Sequence, residues 1–269
     1  MHDSIKRDSR IILQGGGDRL AGPHAVVLAG GKGVRLRPYT TCLPKPLVPI
    51  GDEHSILDIV LSQLARHGFR SATLAIGHLG QLIRAYIGSG HQWGIDVDYR
   101  QEDTPLGTMG PLIGMLDRLP DDFLVMNGDI LTDLDYGALL DGHRESGSPL
   151  TVATYERSVK IDFGVLETDG GRIVGFTEKP TLGYSVSMGV YALSRATLAV
   201  YPEGQPLGFD QLVLDLLAAG TPPGTFPFSG YWLDIGRPDD YDRANQEFDL
   251  IKDELLPPVP SAVSPPVAA

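Results

Sequence analysis

Three cations, a glycine cluster and two separated aspartates carry the chemistry open to this sequence. Arg35, Arg37 and Lys45 follow directly on Gly30-Gly31-Lys32-Gly33. Glycine admits positive φ and lets backbone N–H groups come close to a ligand, and successive N–H groups of such a loop can cradle phosphate oxygens. Cations fixed beside the cradle suit a polyphosphate. Asp129 ends the run Val125-Met126-Asn127-Gly128-Asp129, and Asp234 lies between apolar residues in Trp232-Leu233-Asp234-Ile235-Gly236. A carboxylate directly after a buried strand is rigidly supported and suits a hard cation such as Mg²⁺, which is commonly held by one or two protein carboxylates plus substrate phosphates. A lone Asp in such a place can equally cap a turn. Glu178-Lys179 pairs an acceptor with a cation, although the same pair is common on any surface.

These residues need a scaffold that presents them together. Ala25 to Ala29 is an apolar, β-branched run that reads as a buried strand ending at the glycine loop. Ser55 to Arg66 carries the helical stripe Ile56, Leu57, Val60, Leu61, Leu64 and stops near His67-Gly68. Strands follow at 71–76, 95–99, 123–126 and 150–155, and helices at 79–87, 110–119 and 136–145. This alternation predicts a largely parallel sheet with helices on both faces. In such sheets ligands bind outside the carboxyl ends of the strands, so the glycine loop and Asn127-Gly128-Asp129, each directly after a strand, should share one edge. Beyond Tyr155 the rhythm changes: 164–178 suggests a hairpin turning at Gly170-Gly171, Val186 to Tyr191 a further strand, and 209–219 and 239–256 closing helices, with Pro238 near the start of the last.

Two familiar phosphate motifs fail. A dinucleotide fingerprint needs a third glycine where Leu36 stands, although Asp52 and Glu53 lie roughly 20 residues on, as its ribose-binding acid would. GxxxxGK[ST] is absent. The seven histidines show no metal-ligand spacing, and no serine sits in a nucleophile elbow.

The run LAGG-x-G-x-RLRP followed by PKPLVPI (28–50) resembles the signature of the sugar-1-phosphate nucleotidyltransferases, the nucleotide-sugar pyrophosphorylases. The resemblance covers about 25–247 and implies a Rossmann-like three-layer α/β sandwich, with a mostly parallel mixed sheet and a sugar-binding lobe. It implies the reversible reaction of an NTP with a sugar 1-phosphate to give an NDP-sugar and pyrophosphate. It places Leu28, Gly30, Gly31 and Gly33 against the nucleotide, Arg35 on the β- and γ-phosphates, and Lys45 on the α-phosphate and the attacking phosphate. Asp129 and Asp234 would hold one Mg²⁺. Glu102-Asp103-Thr104-Pro105-Leu106-Gly107-Thr108 resembles the nucleobase turn, with Glu102 and Gly107 at the base. The same stretch also reads as a loop opening a helix, with Thr108 as N-cap. The continuation Gly107-Thr108-x-Gly110-Pro111-Leu112 looks most like the mannose-1-phosphate guanylyltransferases. Gly164, Glu178, Lys179 and Ser187 fall at the sugar-phosphate site. Ser187-Met188-Gly189 departs from the guanylyltransferases toward ADP-glucose pyrophosphorylases, and Val34 replaces the usual Thr, which leaves any phosphate contact there to the backbone.

Composition sets the remaining bounds. Apolar residues at 42% and charged residues at 21% are ordinary for a globular protein. A net charge of −12 argues against nucleic acid or an anionic membrane as partner, and no apolar run reaches spanning length. One cysteine, Cys42, excludes an intramolecular disulfide and fits a cytoplasmic location. The expected organisation is an extension at 1–24 with a flexible Gly15-Gly16-Gly17 joint, a catalytic domain at 25–256 and a disordered Pro/Ala-rich tail at 257–269. The resemblance allows a homo-oligomer. Alternatives from other classes are a binding-only regulatory homologue, a nicotinamide-dependent dehydrogenase and a cytidylyl- or molybdopterin-type nucleotidyltransferase.

Overall fold

Strand β1 (His24–Ala29) lies in the middle of the central sheet and shows how its two faces are filled. Ala25, Val27 and Ala29 pack into one core and Val26 into another, as side chains on alternate residues of a strand must. The protein is seen here in a computed structural model that describes residues 20, 22–102 and 104–256. The glycine joint, the Pro/Ala-rich tail and Asp103 lie outside the described residues.

After β1 come two single-turn 3₁₀ segments, Val34–Leu36 and Lys45–Leu47, and the short antiparallel pair β2 (Pro49–Ile50) and β3 (His54–Ser55). Helix α1 (Ile56–Arg66) starts at a capping box: the Asp58 N–H donates to Ser55 Oγ at 3.2 Å, and the Ser55 N–H to Asp58 Oδ2 at 2.6 Å. It buries Ile56, Leu57, Ile59, Val60, Leu61 and Leu64 completely, each burial contributing about 1.5–3 kcal/mol. Then follow β4 (Ser71–Ile76), α2 (Gly80–Ile87), β5 (Asp96–Gln101), α3 (Gly110–Ile113), β6 (Asp122–Asn127), β7 (Ile130–Thr132) and α4 (Tyr136–Ser146).

The helix expected over 110–119 shrinks to α3. Beyond it the chain tightens into turns, with the Met115 N–H bonding Leu112 O (3.1 Å) and the Arg118 N–H bonding Met115 O (3.0 Å). At Gly114 a Cβ would stand 2.7 Å from the Arg100 guanidinium. The tight turns keep Leu112, Ile113, Met115 and Leu119 buried against the sheet.

The second half holds β8 (Leu150–Lys160), β9 (Val165–Asp169), β10 (Arg172–Thr177), β11 (Thr181–Ser194), α5 (Arg195–Leu198), α6 (Phe209–Ala218), β12 (Gly224–Phe228), β13 (Trp232–Asp234) and α7 (Pro238–Leu255). The seven-stranded sheet runs β12-β8-β11-β6-β1-β4-β5, with β11 alone antiparallel to its neighbours. Residues of α1, α2, α4 and α7 fill the core on one face, and those of α3, α5 and α6 the core on the other. This is the expected three-layer α/β sandwich with a mostly parallel mixed sheet.

Strands β8 and β11 are longer than the sequence suggested. Their outer halves leave the sheet as a two-stranded arm beside the antiparallel pair β9–β10, which is the hairpin expected at 164–178. Most of this arm is solvent-exposed, including Phe163, Leu166, Ile173 and Phe176. Among the described residues, no helix is long and apolar enough to cross a membrane.

Candidate active site

The carboxyl ends of β1, β4, β5 and β6 meet at a cavity of about 950 Å³. Leu28, Gly30, Gly31, Gly33, Arg35, Lys45, Glu102, Gly107 and Asp129 all line it. The shared edge expected of the glycine loop and Asn127-Gly128-Asp129 is present, because β1 and β6 are parallel neighbours and the Gly128 N–H donates to Leu28 O at 2.9 Å.

Glycine is required here for specific reasons. A Cβ on Gly77 would sit 2.7 Å from the Gly30 carbonyl oxygen, so the loops after β1 and β4 touch backbone to backbone. Gly107, at φ +79°, presses on the Leu207 carbonyl, where a Cβ would come within 2.6 Å. Gly31 differs. A Cβ there would meet no atom within 4 Å, so fold packing does not demand glycine at that position.

Lys45 rises from its 3₁₀ turn almost wholly buried, and its Nζ forms an ion pair with Asp129 Oδ2. The other oxygen, Asp129 Oδ1, is buried without a hydrogen-bond partner. A buried acceptor left unpaired is costly, and a carboxylate in this state at a cavity wall is a ready cation ligand. Asp234 stands at the edge of the site on β13 without lining the cavity, brought near Asp129 by the β13–β7 pairing and its continuation in the Ile235 N–H bonding Asp129 O at 3.0 Å. Although Asp234 still meets solvent, removal of much of its water and then the neighbouring Asp129 carboxylate push its carboxyl above the ordinary range, opposed by Lys45 and Arg35. Two repelling carboxylates, one with an orphaned oxygen, fit a divalent cation. No cluster of three or more potential metal-ligating residues occurs among the described residues, so phosphates and water would have to complete the shell.

Glu102 sits at the far side of the cavity, with Oε1 3.5 Å from where a Gly30 Cβ would lie. Burial raises its pKa, opposed by the Leu106 N–H that donates to the carboxylate. Thr108 does not cap α3. Its Oγ1 accepts from the Phe209 N–H at 2.8 Å, at the start of α6. The N-cap position of α3 is Met109, which has no side-chain cap.

The residues expected at a sugar phosphate divide into two groups. Ser187 stands at an irregularity of β11, where its Oγ accepts from the Gly189 N–H at 3.2 Å, and Gly189 abuts the Asn127 side chain that lines the cavity. Gly164, Glu178 and Lys179 lie out on the arm and do not line the cavity. Lys179 takes a left-handed conformation at φ +44°, and its Nζ is 3.9 Å from Glu178 Oε1 with both side chains more than half exposed.

Three lining residues escaped the sequence reading: Gly77, His78 and Gln101. Gly77-His78 directly follows β4, so the strand-then-loop rule that singled out Gly30 would have found it. Trp232 is a different case. Its Nε1–H donates to Met188 O at 3.1 Å, its ring lies 5.3 Å from that of Tyr155, and Arg157 stands over it. Those contacts join distant segments, and no local pattern announces them.

Comparison with known proteins places this architecture. Residues 24–249 match the family described as "Nucleotidyl transferase". A mannose-1-phosphate guanylyltransferase of Mycobacterium tuberculosis is 32% identical over 231 residues, covering 83% of this chain and 64% of that protein. A UTP–glucose-1-phosphate uridylyltransferase of Synechocystis is also 32% identical, over 82% of this chain and 62% of its own. The chain thus spans less than two thirds of the length of these relatives. The crystal structure of HddC from Yersinia pseudotuberculosis superposes with a TM-score of 0.66 at 27% identity, covering 84% of this chain and 99% of HddC. A further structure of that protein is complexed with GMP-PN. A match running from β1 into α7, supported by relatives of this similarity, shows that the chain belongs to the nucleotidyl transferase family.

Proposed function

We propose that this protein is an enzyme that transfers a nucleotidyl group from an NTP to a sugar 1-phosphate, releasing pyrophosphate, with GTP and mannose 1-phosphate as its substrates. The observation that carries the reading is the unpaired Asp129 oxygen beside Lys45, at a cavity floored by glycine backbone, with the Asp234 carboxylate near enough to repel it.

The attacking phosphate oxygen is already ionised, so no strong general base is needed. What the chain must supply is alignment of two mutually repelling polyanions and neutralisation of their charge. The N–H groups of 30–33 cradle the triphosphate, Arg35 holds the β- and γ-phosphates and the departing pyrophosphate, and Lys45 turns from Asp129 to the α-phosphate as substrate enters. Asp129 and Asp234 would hold Mg²⁺, which supplies charge neutralisation and a template for both phosphates. Ser187 and Gly164 border the sugar, while Glu178 takes its hydroxyls and Lys179 its phosphate. For Gly164, Glu178 and Lys179 to contribute, the arm must approach the cavity.

Guanine is favoured by Glu102. A carboxylate accepts two hydrogen bonds, which matches the adjacent N1–H and N2–H donors of guanine. Uracil presents one N–H between two carbonyls. The relative named as a guanylyltransferase supports this choice. The uridylyltransferase of equal identity supports a second reading, the same reaction with UTP and glucose 1-phosphate. On either reading residues 25–256 form the catalytic unit of a cytoplasmic enzyme.

The test is a pyrophosphate-release assay with Mg²⁺ that crosses ATP, GTP, CTP, UTP and dTTP with mannose, glucose and glucosamine 1-phosphates. Strong preference for GTP with mannose 1-phosphate is the expected result. Preference for UTP with glucose 1-phosphate would establish the second reading. No release from any pair by folded protein would refute both.

A further inference from the structure

The loop that carries Arg35 is pinned at three points. Leu36 is fully buried in the core. The Thr40 hydroxyl donates to Gly33 O at 2.7 Å, folding the loop back on itself. Tyr39, 42% exposed and therefore not a core residue, lays its ring against Tyr241 of α7, with centroids 4.7 Å apart and planes at 51°. That separation lies within the attractive range for aromatic pairs.

Helix α7 is itself anchored on both sides. Along one stripe, Tyr241 faces the Arg35 loop while Asn245 and Phe248 face the segment that follows it: Asn245 Oδ1 accepts from the Gly51 N–H at 3.0 Å, and the Phe248 ring occupies the space a Gly51 Cβ would need. On the adjoining stripe, Glu247 accepts from the hydroxyl of Tyr231 at 3.1 Å, one residue before β13, the strand that ends at Asp234. Asp240 fixes the start of the helix by accepting from the Gly236 and Arg237 N–H groups. The Arg35 guanidinium carbon lies 3.8 Å from where a Gly236 Cβ would be, so Arg35 packs against the segment that leads into α7, and both residues line the cavity.

We propose that Tyr241 is a positioning residue for the phosphate site: through Tyr39 it holds the loop so that Arg35 faces Gly236. This rests on the reading of Arg35 as a phosphate ligand given above. α7 then acts as a strut that sets the distance between Arg35 and the β13 segment bearing Asp234.

The experiment compares Tyr241→Leu, which keeps apolar bulk but removes the ring, with Tyr241→Phe, which keeps the ring. Two quantities are measured: turnover with separate KM values for each substrate, and affinity for inorganic pyrophosphate with Mg²⁺ by calorimetry. Tyr241→Leu should lower kcat/KM for the NTP and the pyrophosphate affinity about tenfold each, the scale expected for a sub-ångström misplacement of a phosphate ligand. The KM for the sugar phosphate should stay within about twofold, and Tyr241→Phe should restore both quantities. In an Arg35→Ala background Tyr241→Leu should cost nothing further, since the lost group is the one it positions. Equal losses in both backgrounds, equal pyrophosphate affinity of wild type and Tyr241→Leu, or no rescue by Tyr241→Phe would overturn the proposal. A wild type that binds pyrophosphate without turnover would refute the reaction and leave the strut to be decided by the two affinities. A wild type that binds no pyrophosphate would overturn the strut and the Arg35 assignment together.

Discussion

Gly31 and Gly77 both line the cavity, and alanine at each should fail in a different way. At Gly77 the added methyl would stand 2.7 Å from the Gly30 carbonyl oxygen and 3.1 Å from Gly30 Cα, about 0.7 Å inside the 3.4 Å limit of ordinary contact. Both obstacles are backbone, so the glycine loop must move by a comparable amount. Overpacking of this kind costs about 1–3 kcal/mol, which for a domain of this size is roughly 2–10 °C in Tm. A phosphate cradle displaced by that distance should also lose roughly 10- to 100-fold in kcat/KM. At Gly31 the methyl would meet no protein atom within 4 Å, so the melting temperature should stay within about 1–2 °C of wild type. If nucleotide phosphates lie on the Gly31 backbone, the same methyl keeps them off, and NTP affinity should fall about tenfold or more with stability intact. The assay is thermal melting without ligand, paired with initial rates across NTP concentration. A Gly31→Ala enzyme with both stability and NTP KM within twofold of wild type would refute the cradle, because a site that tolerates the methyl does not bring phosphate to that backbone.

Three further outcomes follow from the same geometry. Loss of water and then the neighbouring Asp129 carboxylate hold the Asp234 carboxyl above its ordinary range; folding therefore favours its protonated form, and the metal-free protein loses stability as pH rises from about 4 through the raised value. Asp234→Asn should remove that loss, giving a metal-free protein at least as stable as wild type at pH 7 in denaturant titrations, with turnover reduced by about 100-fold or more. Glu102→Gln should lower kcat/KM for GTP about 10- to 100-fold relative to UTP, and because the Glu102 carboxyl is raised by burial, wild-type KM for GTP should begin to climb at a higher pH than an ordinary carboxylate would dictate. Competition assays and a pH profile of KM check these two points. Ser55→Ala removes one half of the α1 capping box and should cost about 1 kcal/mol in urea unfolding without changing turnover.

What could be read in advance was whatever a few consecutive residues decide. β1 and β6 are short apolar runs that end in Gly-Gly and in Asn-Gly-Asp; once a parallel sheet was inferred, the strands' common direction placed both loops at one edge, and with them Lys45 and Asp129. Features that depend on what lies on the other side of a chain resisted the same reasoning. The outer half of β11 has no buried face to impose alternation, so Thr181 to Ser185 carried no strand signal although they are fully paired with β8. β12 contains Pro227, which reads as a strand breaker until the strand is seen to occupy the sheet edge, where an absent N–H leaves no ladder bond unmade. Thr108 looked like a cap for the helix next to it, yet the N–H it satisfies belongs to Phe209, far along the chain. The sugar side shows the same limit. Glu178-Lys179 could be recognised as a pair, but whether Lys179 reaches a phosphate depends on where an exposed arm stands relative to a cavity it does not line. Spacing along a strand fixes which residues share an edge; it does not fix how far an arm outside the sheet must travel. If Lys179 does hold the sugar phosphate, closing that gap falls to binding, and Lys179→Ala should raise KM for the sugar phosphate while leaving the NTP KM within about twofold. Loss of NTP affinity in the same variant would place Lys179 at the triphosphate and refute the assignment.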